Sequence, residues 1–308
     1  MSGLLDDFRS EFNKPNNTLV QLILVNVVVF LVLLLAKVGF AMSQHDAYYA
    51  VMLDQLTIPP TVNAFLHRPW TLFTYFFTHQ DVFHILFNML YLYWFGRLID
   101  EYLGNRRLVG LYMLGGLAGG ILFLLMYNLV PFYKESAGSP MLGASAAAFA
   151  VAVGAATLLP NYTFHLLFFG PVKIKYIVFF FIVLSVAQSI GPNAGGNLAH
   201  LGGAVLGFLY IKLLQNGTDI GRPVYWMMAG WQNLKNPRPP VKVSYRQRST
   251  TSSSQGNNAT YVSPLSSSAS SISMPDQDEV DAILDKISKS GYESLTREEK
   301  QKLFRASQ

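Results

Sequence analysis

Four polar residues stand inside strongly apolar runs of this chain. His84 and Asn88 lie four apart in HILFN, Ser145 lies in GASAAAFA, and His200 lies in NLAHLGGAVLG. Ionisable and polar side chains are costly in hydrocarbon and mark function there. The set suits nucleophilic acyl transfer. A serine hydroxyl is a weak nucleophile until a base removes its proton, and a neutral imidazole does this. The oxyanion that forms needs preorganised donors. The Asn88 amide, the His84 ring N–H and the backbone N–H of Ser145 are candidates. No Asp or Glu occurs in the runs that hold Ser145 and His200. The expected machine is therefore a Ser–His dyad, without the carboxylate of a triad.

The elements that must position these residues are membrane helices. Charged residues are 13% of the 308, about half the share of a soluble domain, and 51% are hydrophobic. A bilayer core of ~30 Å needs about 20 apolar residues as a helix. Six runs qualify: 19–40, 82–99, 108–130, 142–159, 174–190 and 198–214, the last three short. The first reads as an uncleaved anchor, since no small-x-small site follows it. There is no cysteine, which excludes disulfide frameworks, thiolate metal sites and cysteine nucleophiles.

Arg9, Lys14, Arg97, Arg106, Arg107, Lys173 and Lys175 cluster in alternate connections. By the positive-inside bias, both termini are cytoplasmic. Spans two, four and six then run inward from outside. His84, Asn88, Ser145 and His200 all enter from the outer face, within the first turns of their helices. Small residues supply a reason for lateral contact. Gly203 and Gly207 form GxxxG below His200, and Gly143 with Ala144 and Ala146–Ala148 makes span four smooth around Ser145. Such faces let helix backbones approach closely. Phe149, one turn after Ser145, is placed to stack on the His200 ring.

The first connection, Ala41–Gln80, is 40 residues long and dense in aromatics, which predicts short helices in the outer leaflet. After residue 215 the character changes. Residues 216–243 are mixed, with Trp226 and Trp231 as possible interface anchors. Ser249–Ser273 holds 14 Ser/Thr in 25 residues and is expected to be a disordered linker. Val280, Ile283, Leu284 and Ile287 have helical spacing, and Thr296 with Glu299 forms a capping box. The domain reading is thus 1–16, a cytoplasmic segment; 17–215, the membrane domain; 216–275, a linker; and 276–308, a small helical hairpin.

HILFN with the earlier His79, the GASA form of Gly-x-Ser-x, and AHLGGAVLG together make the sequence resemble a rhomboid intramembrane serine protease. The resemblance covers about residues 15–215. It implies an all-α polytopic membrane protein: a six-transmembrane-helix rhomboid-like bundle with a long membrane-associated first loop. It also implies Ser145 as nucleophile, His200 as general base, and His84 and Asn88 as oxyanion stabilisers. Gly203 and Gly207, with Gly143 and Phe149, support packing around the catalytic helices, and span five acts as a lateral gate. The implied substrates are single-span or polytopic membrane proteins cut near the extracytoplasmic face. No cofactor, metal or nucleic acid is required. The implied site is a bacterial inner membrane. Ala146 stands where some members have glycine, and Phe149 where some have tyrosine, so a phenol hydrogen bond is lost there.

The alternative is a non-catalytic rhomboid-like membrane chaperone or scaffold, which explains the six spans but leaves the four polar residues without a joint purpose. No inverted repeat favours a transporter. His79 and His84 do not reproduce a zinc-binding HExxH spacing. The C-terminal hairpin lies outside the resemblance; it reads as a docking or solubility element with a possible cytoplasmic partner.

Overall fold

Helices dominate because long apolar runs must satisfy their own backbone groups in lipid. The computed structural model describes residues 17–135, 138–166, 170–235 and 277–306. The expected cytoplasmic segment 1–16 and the Ser/Thr-rich stretch lie outside them. In chain order the helices are α1 (Thr18–Met42), α2 (Asp46–Asp54), α3 (Val62–His67), α4 (Thr71–Thr74), α5 (Val82–Leu103), α6 (Asn105–Leu129) and α7 (Pro131–Glu135). There follow α8 (Ser145–Leu158), α9 (Ile174–Ala187), α10 (Ala194–Gln215), α11 (Arg222–Lys235), α12 (Gln277–Ser290) and α13 (Arg297–Ala306).

Among the described residues, α1, α5, α6 and α10 are long and apolar enough to cross a membrane. The chain is an integral membrane protein. The other two expected spans, α8 and α9, are apolar but have 14 residues each, about 21 Å of helix. Their surroundings differ. Every residue of α8 from Ala146 to Ala155 is buried by neighbouring helices, so its length need not match the lipid. On α9 only Ile174, Val178 and Ser185 are buried, while Phe179 and Phe180 are exposed.

Close contacts give the helix directions. Cβ atoms built on Gly203 and Gly207 of α10 would lie 2.1 Å and 2.3 Å from the carbonyl oxygens of Ala146 and Ala150. Any side chain there would push α8 and α10 apart, so the parallel pair depends on the two glycines. Gly115 and Gly119 of α6 meet Ala150 and Ala146 in reverse order, so α6 runs antiparallel to α8. Gly143 meets His84, and Tyr91 stacks on Phe149, so α5 runs parallel to α8. The starts of α5, α8 and α10 thus gather at one end of the bundle.

The opposite end holds the start of α1, where Leu19 packs on Gly96, and the end of α10, where Arg107 is 3.6 Å from Asp219. The C-terminal pair docks there as well. Arg297 forms an ion pair with Asp100 and Lys300 Nζ is 2.8 Å from Glu101, both at the end of α5. Phe304 meets the Tyr102 ring edge-on at 5.9 Å. Within this pair the capping box closes: the Thr296 N–H donates to Glu299 Oε2 at 2.7 Å, and the Glu299 N–H to Thr296 Oγ1 at 3.3 Å.

Polar contacts brace the first connection against itself and, through Asn128 of α6, against the bundle. The Trp70 indole donates to the Gln55 carbonyl at 2.9 Å, Thr74 Oγ1 to the Leu56 carbonyl at 2.9 Å, and Asn128 Nδ2 to the Pro60 carbonyl at 2.9 Å. Two features were not expected from the sequence. A short antiparallel hairpin, β1 (Thr163–Leu166) with β2 (Gly170–Lys173), joins α8 to α9, and Phe164 turns inward onto Phe95 at 5.5 Å. The mixed stretch after residue 215 contains helix α11, whose Trp226 is exposed.

Candidate active site

Ser145 is the first residue of α8, and the backbone before it is held on three sides. Ile58 and Met141 exchange backbone hydrogen bonds at 3.0 and 2.8 Å, joining the first connection to the approach strand. The Gly143 N–H donates to the Tyr75 carbonyl at 2.9 Å. The Ala144 N–H donates to His79 Nε2 at 3.2 Å. Gly143 has φ +116°, a conformation side chains avoid, and a Cβ there would sit 2.6 Å from the His84 ring. Gly143 is therefore a turn residue facing His84, which corrects its expected place as a packing residue within span four. The apolar run predicts a helix start near Leu142. The helix starts three residues later because the Gly143 conformation is not helical.

This late start leaves the first N–H groups of α8 without intrahelical acceptors. No side chain caps them. Among the described residues, neither the Ser145 N–H nor its hydroxyl has a hydrogen-bond partner. Ser145 lines a cavity of about 1310 Å³ together with His84, Asn88 and His200. The remaining walls are largely apolar side chains of α5 and α9, including Phe87, Trp94 and Phe181.

His200 is fixed from two directions. Phe149 lies flat against its ring, and Nδ1 is 3.2 Å from Ser185 Oγ on α9. With Nδ1 so engaged, Nε2 is the nitrogen left for a reacting hydroxyl. Ser145 and His200 are not hydrogen-bonded to each other. Asn88 is buried, with Nδ2 3.3 Å from His79 Nε2. An amide nitrogen carries two protons, so one remains for a ligand. His84 stands edge-on to His79 with ring centroids 5.1 Å apart. Asp81 does not reach the His84 ring; its Oδ1 caps α5 by accepting the His84 backbone N–H at 2.9 Å.

All four chemically suggestive residues thus line one cavity, although they come from three helices remote in sequence. Two further residues take part. His79 is fully buried and links Asn88 to the start of α8. Ser185 is the Nδ1 partner of His200. Ser185 was legible by the same signal as the others, a polar residue in an apolar run. By contrast, Asn26 of α1 donates to the Tyr112 hydroxyl at 3.1 Å and the Leu22 carbonyl at 2.8 Å, a satisfied interior contact away from the cavity.

The Rhomboid domain family matches residues 66–216, the stretch that holds His79, His84, Asn88, Ser145, Ser185 and His200. Residues 66–216 form a rhomboid-family domain. A separate family of unknown function (DUF6576) matches residues 274–308. RHOMBOID-like protein 12, mitochondrial, of Arabidopsis thaliana is 32% identical over 162 residues, 49% of this chain and 48% of that protein. RHOMBOID-like protein 1 of Arabidopsis thaliana is 36% identical over 145 residues, covering 46% and 34%. Rhomboid protein 1, mitochondrial, of Saccharomyces cerevisiae is 35% identical over 143 residues, covering 44% and 38%. The match therefore spans half or less of each relative's own length.

Proposed function

We propose that this rhomboid-family protein is an intramembrane serine endopeptidase that cuts transmembrane segments of membrane proteins with Ser145 and His200. The observation that carries the reading is the shared cavity. It holds an unpartnered serine hydroxyl at a helix start, an imidazole oriented through Nδ1, and an amide with a free proton.

In this reading His200 Nε2 takes the Ser145 proton as Oγ attacks the scissile carbonyl carbon. The oxyanion accepts hydrogen bonds from Asn88 Nδ2, the Ser145 N–H and the His84 ring. The imidazolium returns its proton to the leaving amine as the C–N bond breaks, leaving an ester on Ser145. Water then attacks the ester, His200 takes the water proton, and the serine is released with a carboxylate product. A helical peptide bond is shielded by its own hydrogen bonds. Substrate segments with weak helical propensity are therefore the better substrates, and the apolar wall between α5 and α9 suits a segment arriving from lipid.

The end of the bundle that carries Ser145 is proposed as extracytoplasmic, with both termini cytoplasmic, from the distribution of Lys and Arg. A bacterial inner membrane rests on the family resemblance alone. Those relatives above whose names carry a location are mitochondrial proteins of eukaryotes.

The test uses the purified full chain in nanodiscs with a fluorescently tagged single-span substrate. Cleavage should fall at least about 10³-fold in Ser145→Ala and in His200→Ala. A fluorophosphonate should label Ser145 in the unaltered protein. Equal cleavage by all three proteins removes the site assignment, and a fully inert, unlabelled chain favours the chaperone or scaffold.

A further inference from the structure

We infer that Ser185 is the positioning residue of the proposed dyad, holding His200 in the tautomer that lets it act as a base. This rests on the proposed catalytic reading and deepens it. Helix α9 faces outward along most of its length, yet Ser185 is one of its three buried residues and is 3% exposed. A buried hydroxyl in a membrane helix ordinarily bonds back to the carbonyl four residues earlier. Thr157 does so, donating to the Val153 carbonyl at 2.7 Å. Ser185 instead meets His200 Nδ1 at 3.2 Å.

The chemistry needs such a partner. A neutral imidazole carries one proton on either nitrogen. If that proton sits on Nε2, His200 has no lone pair to offer a hydroxyl. An acceptor at Nδ1 places the proton there and frees Nε2, which is the service a carboxylate gives in a triad. Among the described residues, no carboxylate lines the His200 side of the cavity; Asp81, the one acidic residue among those lining its wall, caps α5 instead. Phe149 restrains the plane of the ring but does not distinguish its two nitrogens. Ser185 Oγ touches Nδ1 alone, and in the proposed arrangement it accepts from Nδ1–H. The hydroxyl also sits on the least buried of the bundle's apolar helices, apart from α1. The orientation of the base is thus tied to the seating of α9 against α10.

The experiment compares the unaltered chain with Ser185→Ala, Ser185→Thr and Ser145→Ala in nanodiscs, using the tagged single-span substrate. Ser185→Ala should lower kcat about 3- to 10-fold, the range of one neutral hydrogen bond, with KM unchanged. Ser185→Thr, which keeps the hydroxyl, should recover most of that loss. In parallel, the ¹⁵N resonances of His200 should report Nδ1–H in the unaltered chain and a mixed tautomer in Ser185→Ala. Ser145-dependent cleavage with full kcat and an unchanged ¹⁵N pattern in Ser185→Ala overturns this inference alone. Absence of any Ser145-dependent cleavage overturns the catalytic reading and this inference with it. A raised KM with unchanged kcat assigns Ser185 to substrate seating and also overturns the inference.

Discussion

The Phe149 ring lies on the His200 imidazole with centroids 4.4 Å apart and planes 9° from parallel. Tyr91 also stacks on Phe149, with centroids 5.7 Å apart, so ring contacts run from α5 through α8 to α10. These contacts tie the imidazole to the helix that carries Ser145. Such ring pairs contribute about 0.5–1.5 kcal/mol beyond their burial. Phe149→Leu should therefore lower kcat about 2- to 10-fold with KM near its original value, while Phe149→Tyr should retain activity. Steady-state kinetics on the single-span substrate measures both.

Asn88 and His79 should separate by phenotype. Asn88→Ala removes a proposed oxyanion donor, and kcat should fall about 10²-fold with little change in thermal stability. His79→Ala strips the acceptor from the buried Ala144 N–H. That should destabilise the bundle by about 1–3 kcal/mol and lower its Tm. Thermal unfolding in detergent, run beside the cleavage assay, distinguishes the two.

Gly203 tolerates no side chain, because the Ala146 carbonyl already occupies the space of a Cβ. Gly203→Val should separate α8 from α10, abolish cleavage and reduce the yield of folded protein. Gly39→Ala on α1, where nothing lies within 4 Å, is the matched control and should behave as the unaltered chain.

The docking of the C-terminal helices on α5 should respond to charge. Asp100→Arg places two cations together and should raise amide hydrogen exchange across residues 277–306. Arg297→Asp in the same chain should restore protection, because it remakes the ion pair in reverse. Each partly exposed pair contributes only about 0–1 kcal/mol, so docking should also weaken at high salt. Exchange that stays equally slow in both variants would argue that the Lys300–Glu101 pair and the Tyr102–Phe304 contact hold the docking without Arg297.

Within that pair, Lys286 Nζ lies 2.8 Å from Glu299, and the Thr296 N–H adds a second bond. Together they hold the Glu299 carboxyl down, to about 2. Because the folded value is below the ordinary one, the contact is present above about pH 4.5 and is lost as pH falls towards 2. A carboxyl ¹³C titration should show the depressed midpoint, and Lys286→Ala should move it up towards the ordinary glutamate range.

Much of this protein is legible as a string of residues. Apolar run lengths dictate membrane helices, because backbone groups in lipid have no other partners. The spacing of His84 and Asn88, the polar exceptions at Ser145 and His200, and the glycines at 203 and 207 mark both a site and the face that closes it. The positions are local facts, readable from one helix at a time. The tertiary structure decided what depends on neighbours. It moved Gly143 from the helix into a turn against His84, since only a glycine fits φ +116° beside that ring. It made His79 the link between Asn88 and the start of α8, and it selected Ser185 on α9 as the Nδ1 partner of His200. It seated the C-terminal helices on Asp100 and Glu101, nearly two hundred residues earlier in the chain. Those pairings are set by which helix packs beside which, and no single-helix periodicity encodes that choice.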